Sequence, residues 1–78
     1  SHSVPIVIRA NNARHLLNNV THILEQTNIH ISNAALETKP DYSAILNLTI
    51  QVENTRQLSL VLSRISQLPN IVDVKRKT

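Results

Sequence analysis

Hydrophobic positions along this chain switch between a period of two and a period near 3.6, in a fixed order. Val4, Ile6, Ile8 and Ala10 share one face of an extended segment, with Pro5, Val7 and Arg9 on the other. Pro5 cannot donate to a ladder, which places it at a strand start or on an edge. Asn11 and Asn12 then offer an N-cap. Leu16, Leu17, Val20, Ile23 and Leu24 make one apolar stripe of a first helix, running to about Thr27. Asn28-Ile29-His30-Ile31 re-enters extended structure. This second strand continues to about Thr38, with a weaker pattern after Ile31.

Lys39-Pro40-Asp41 is turn chemistry, because proline presets φ at the first central position. The third strand is the clearest element. Tyr42, Ala44, Leu46, Leu48, Ile50 and Val52 share one face, and Ile45 alone breaks the polar character of the other. Asn54 with Gln57 three residues on resembles a capping box. Leu58, Val61, Leu62 and Ile65 form a second helical stripe, which Leu68-Pro69-Asn70 stops. Ile71, Val72 and Val74 make a last strand before Lys75-Arg76-Lys77.

The order strand, helix, strand, strand, helix, strand predicts an α+β fold, a ferredoxin-like βαββαβ sandwich. Right-handed crossovers predict an antiparallel sheet in the order 4-1-3-2, with both helices on one face. The expected core is Ile6, Ile8, Leu16, Val20, Ile23, Leu24, Leu46, Leu48, Ile50, Leu58, Leu62, Ile65 and Val72.

Seventy-eight residues make one domain. Ser1-His2-Ser3 reads as an expression remnant and residues 4–78 as a single domain, cut from a longer protein. A core this small gains from oligomerisation. With no cysteine there is no disulfide framework and no thiolate metal site. No segment reaches the roughly 20 apolar residues of a membrane span. No secretory signal is visible, and the expectation is a cytoplasmic location without membrane contact.

Zero glycine rules out a phosphate-cradling glycine loop and leaves the turns to Asn, Asp and Pro. His15 and His22 lie seven residues apart, without a carboxylate or cysteine suitably spaced, so neither metal nor cofactor is expected. No GxSxG elbow exists and the few acids sit at element ends, so no catalytic residue is assigned.

The net charge of +3 is modest and concentrates at the C-terminus. Arg64, Lys75, Arg76 and Lys77 are candidates for docking RNA or a protein partner through phosphate or acidic groups. Base stacking of the kind RNA-recognition motifs use is not expected. The outward positions of the first and third strands carry no aromatic residue, and Tyr42 has core-face parity. Val7 and Ile45 are apolar on the face away from the helices, which makes them candidates for self-association.

The stretches Leu16-Leu17-Asn18-Asn19-Val20-Thr21, Asn28-Ile29-His30-Ile31 and Leu46-Asn47-Leu48-Thr49-Ile50 carry a family resemblance. Leu62-Ser63-Arg64-Ile65-Ser66-Gln67-Leu68-Pro69-Asn70-Ile71, then Val74-Lys75-Arg76, carry it most strongly. Over nearly all of residues 4–77 the chain resembles an ACT domain. It is most similar to the C-terminal ACT domain of the RelA/SpoT family of guanosine tetra- and pentaphosphate (ppGpp) synthetases and hydrolases.

The resemblance implies a non-catalytic regulatory module of the stringent response. Its parent would be a GTP pyrophosphokinase, and the module would form a homodimer, contact the parent's other domains and relay ribosome or tRNA status. The alternatives are an amino-acid-sensing ACT domain of another metabolic enzyme, or a plain dimerisation module.

ACT domains usually carry Asp-Arg-x-Gly-Leu where the first strand turns into the first helix. The corresponding ligand turn here is Asn11, Asn12, Ala13, Arg14, His15 and Leu16, with Asn12 in the aspartate position and His15 in the glycine position. A histidine adds bulk where a small-molecule ligand must approach the backbone, so no tight amino-acid ligand is expected.

Overall fold

In the computed structural model, which describes residues 1–77, six elements follow one another. They are β1 (His2–Ala10), α1 (Leu16–Gln26), β2 (His30–Thr38), β3 (Ala44–Val52), α2 (Thr55–Ser66) and β4 (Ile71–Arg76). The four strands form one sheet in the order β2-β3-β1-β4, and every neighbouring pair is antiparallel. This is the expected βαββαβ sandwich, and the strand order reads 4-1-3-2 from the other edge.

The core lies between the helices and one face of the sheet. β1 contributes Val4, Ile6, Ile8 and Ala10, and β3 contributes Ala44, Leu46, Leu48, Ile50 and Val52. Leu16, Val20, Ile23 and Leu24 of α1 and Leu58, Val61 and Ile65 of α2 close it, with Ile29 between α1 and β2. No polar or charged residue is buried among the described residues.

Of the expected core, Leu62 packs at its margin and Val72 lies elsewhere. Leu62 is only half-buried. Val72 is 55% exposed. The β1–β4 register explains Val72: Arg9 faces Asp73 but Ala10 faces Ile71, so Val72 is the extra residue of a β-bulge. Tyr42 is 80% exposed, not on the core face. It sits before β3, in a three-residue loop where its own φ is 72°. There Tyr42 N–H donates to the Lys39 carbonyl at 2.9 Å and Lys39 N–H to the Ser43 carbonyl at 2.9 Å. Pro40 fits the first central position of that type I turn, and the residue that follows such a turn is left-handed.

Element ends also differ from the sequence reading. β1 starts at His2, two residues before Val4. β1 is central only from Ile6 onward, where β4 begins to pair with it. Pro5 stands where that pairing ends: its carbonyl accepts the Lys77 N–H at 2.8 Å, and it has no N–H to carry the ladder further. α1 starts at Leu16, not after Asn12. β2 starts at His30, because Asn28 is left-handed with φ 57°. Asn28 N–H donates to the Glu25 carbonyl at 3.1 Å and Ile29 N–H to the Leu24 carbonyl at 2.9 Å. That pair of bonds is a Schellman motif, with asparagine in the usual glycine place and buried Ile29 supplying the apolar contact.

Candidate functional site

The turn from β1 to α1 is built by backbone conformation rather than by capping. Asn12 Oδ1 accepts the Arg14 N–H at 3.1 Å, closing a short turn of its own before the helix. Leu16 N–H then donates to the Ala13 carbonyl at 3.1 Å. His15 is the N-cap of α1, at φ 60° and ψ 4°, and no side chain caps the helix. Asn12 is thus not the N-cap. The His15 position is left-handed, the region glycine enters without a Cβ clash. The glycine expected there has a backbone reason as well as an access reason. Arg14 and His15 are both exposed, and Arg14 Nε donates to His15 Nε2 at 3.4 Å. Leu16 is buried and anchors the turn to the core.

The four docking cations do not form one patch. Alternation along β4 sends Lys75 and Arg76 to opposite faces. Lys75 stands opposite Val7 on the outer face, and Arg76 stands opposite Ile6. Arg76 borders a groove of about 400 Å³ at the start of α2, with His2, Val4, Asn54 and Leu58. Lys77 borders a shallow hollow on the outer face with Pro5, Asn33 and Asn47. Arg64 reaches the other way, towards α1, where its guanidinium donates to Gln26 Oε1 at 3.2 Å.

Val7 and Ile45 are half-buried on the outer face, as their parity implies. They are diagonal neighbours, because Val7 faces Asn47 and Arg9 faces Ile45. Polar groups surround them. Arg9 grips Asp73 as a fork, Nε to Oδ1 at 3.1 Å and a terminal nitrogen to Oδ2 at 2.7 Å. The hydrogen bond from Arg9 holds the Asp73 carboxyl below its ordinary range, and Asp73 in turn raises Arg9. Gln51 bridges Ser3 at 2.8 Å and Ser32 at 3.3 Å across three strands. Sequence reasoning missed the Arg9–Asp73 pair, which only the β1–β4 register brings together.

It also missed β2. Leu36 on β2 is 45% exposed and Leu17 on α1 is 40% exposed. Leu17 lies on the α1 flank away from α2, because Gln26 on the opposite flank bonds to Arg64. The signal was present: the strand order itself makes β2 an edge. The weak alternation after Ile31 is what a strand with little cover on either face shows.

Fold and turn together define the class of protein: a ferredoxin-like βαββαβ domain whose first helix opens on an exposed left-handed turn. A family model described as ACT domain matches residues 1–76, and the chain belongs to that family. No curated relative matches the chain at a significant level. Among solved structures it is similar to the ACT domain from the GTP pyrophosphokinase of Chlorobium tepidum. That match has a TM-score of 0.83 at 21% identity and covers 96% of each chain. It is also similar to a homoserine dehydrogenase from Thiobacillus denitrificans, with TM-score 0.80 and 19% identity, covering 95% of this chain and 16% of that one. A third is the C-terminal domain of the MgtC protein from Mycobacterium tuberculosis, with TM-score 0.75 and 11% identity over 96% of this chain and 84% of that one. At these identities the likenesses establish the fold.

Proposed function

We propose that this ACT domain is a non-catalytic regulatory module of a RelA/SpoT-like GTP pyrophosphokinase. It relays the state of a ribosome, a tRNA or a protein partner to catalytic domains elsewhere in the parent, in the cytoplasm. The observation that carries this reading is the end-to-end similarity to an ACT domain of a GTP pyrophosphokinase, with 96% of both chains aligned. The basic ending Lys75-Arg76-Lys77 supports it.

The test begins with the reading frame upstream of residue 1. The full-length protein is assayed for pyrophosphate transfer from ATP to GTP, with and without residues 4–77. The expected result is basal transfer in both forms and loss of its response to ribosomes in the shorter one. A full-length protein that transfers no pyrophosphate overturns the reading.

A second reading, amino-acid sensing, is favoured by one observation. The left-handed turn at His15 keeps the backbone shape of a ligand turn, and no side chain caps the helix behind it. Calorimetry of the domain and of His15→Gly with the twenty amino acids separates the two. The regulatory reading expects no binding to the parent sequence. Low-micromolar binding to it favours sensing.

A further inference from the structure

One side of α2 is not explained by the packing of the domain. Leu58, Val61 and Ile65 fill the core, while Arg56, Leu60 and Arg64 follow one another on another side at intervals of four residues, about one turn each. Leu60 is 52% exposed, and Arg56 is exposed as well. Arg64 is half-buried, and its bond to Gln26 Oε1 sets it towards the end of α1. A second groove, shallow and of about 530 Å³, runs between the end of α1 and this side of α2, with Leu60 and both arginines on its wall. A bond from Gln57 Nε2 to the Thr27 carbonyl at 3.3 Å ties the two walls together.

The charge here is of one sign. The ion pairs among the described residues are Ser1–Glu53 and Arg9–Asp73, so neither Arg56 nor Arg64 meets a carboxylate. α2 carries no acid in its twelve residues. The one acid of α1 is Glu25, about 100° round that helix from Gln26 and turned away from the groove. Glu53 lies at the end of the groove, 3.8 Å from the amine of Ser1. Arg56 also holds the second position of α2, where the positive end of the helix dipole disfavours a cation. A cation that opposes its own helix, one turn from an exposed leucine, points to a use outside the fold.

We propose that this side of α2 docks an acidic amphipathic helix of a protein partner, with two carboxylates eight residues apart and an aliphatic side chain midway. Arg56 and Arg64 are themselves eight residues apart, about 12 Å along the axis. A partner helix of matching spacing sets one carboxylate on each guanidinium and its aliphatic residue on Leu60. Ser59 and Ser63, beside the stripe, are small enough to let a second axis approach within about 8–10 Å. Nucleic acid fits less well. Its phosphates would meet the arginines but leave Leu60 uncovered, and α2 offers no aromatic ring to a base. The proposal does not depend on the identity of the parent protein, and the groove lies at the opposite end of α1 from the turn at His15.

The probe is an alanine-based helical peptide with two glutamates eight residues apart and a leucine midway. It is titrated into the isotope-labelled chain while the backbone amide NMR shifts are followed. Saturable shifts are expected on α2 and at the end of α1. Leu60→Ser should weaken binding about tenfold. Arg56→Glu should lose the peptide and recover binding to one in which a lysine replaces one glutamate. The same variant should have a higher thermal midpoint than the parent sequence, because an acid at the second position suits the dipole. Lys75→Ser, on the outer face of the sheet, is the control and should bind like the parent sequence, with circular dichroism confirming the fold of each variant. The proposal is overturned by no saturable shift at millimolar peptide, by undiminished binding in Leu60→Ser, or by failure of the lysine peptide to rescue Arg56→Glu. An oligouridine that binds α2 more tightly than the peptide overturns it in favour of RNA. A lower thermal midpoint in Arg56→Glu overturns it too, because Arg56 then serves the fold.

Discussion

At the scale of single residues, the absence of glycine has a structural cost that can be located. Among the described residues, four stand at positive φ: His15 at 60°, Asn28 at 57°, Tyr42 at 72° and Asn70 at 71°. Asparagine enters this region with little penalty, since its short side chain bonds locally, but histidine and tyrosine do not share that ease. Tyr42→Gly and His15→Gly should each stabilise the domain by on the order of 1 kcal/mol. Little packing is lost, because both side chains are exposed. Urea unfolding checks this as a higher midpoint at unchanged slope. An unchanged midpoint in both variants would mean that neither backbone is strained.

Charge acts at the same scale. Ser43, through its hydroxyl and then its N–H, holds the Asp41 carboxyl below its ordinary range, as Arg9 does for Asp73. A carboxyl lowered in the folded state adds stability above the unfolded pKa near 3.9, and that stability drains away as pH falls through the lower folded value. The thermal midpoint should therefore decline on acidification from about pH 5 downward. Asp73→Asn should flatten the decline. The pair is solvent-exposed, so the change should be small and salt-dependent.

At the scale of elements, the two helices show what a sequence reveals about its own boundaries. The start of α2 was legible because Asn54 and Gln57 have capping-box spacing just before an apolar stripe. Asn54 Oδ1 accepts the Gln57 N–H at 2.8 Å, and Gln57 Oε1 accepts the Glu53 N–H at 2.7 Å. The start of α1 was not legible. Two asparagines precede its stripe, and an asparagine that closes its own turn looks in sequence like one that caps a helix. Asn54→Ala should cost about 1 kcal/mol, while Asn12→Ala should cost clearly less, because its bond closes a turn outside the helix. Equal losses would show that Asn12 supports α1 after all.

Strands divide the same way. β3 was plain because it is central and alternates along its whole length, while the bulge at Val72 arises from a partner strand more than sixty residues away. The turn from β1 to α1 is left-handed at His15, and that backbone had no local sequence signature in a chain without glycine.

At the scale of the whole molecule, the topology followed from the order of periods, and with it the fact that β2 and β4 are edges. A domain this small holds a thin core, so a second copy, in the homodimer that the resemblance implies, would add a sizeable share of its stability. If the native form is such a dimer and unfolds to two chains, mass action makes the thermal midpoint depend on protein concentration. A tenfold rise in concentration is worth about 1.4 kcal/mol per dimer, or about 0.7 per chain. At about 4–8 °C per kcal/mol for a domain of this length, the midpoint should rise by roughly 3–6 °C. Differential scanning calorimetry over two decades of concentration reads that slope, and a midpoint that ignores concentration would leave the domain stable as a single copy.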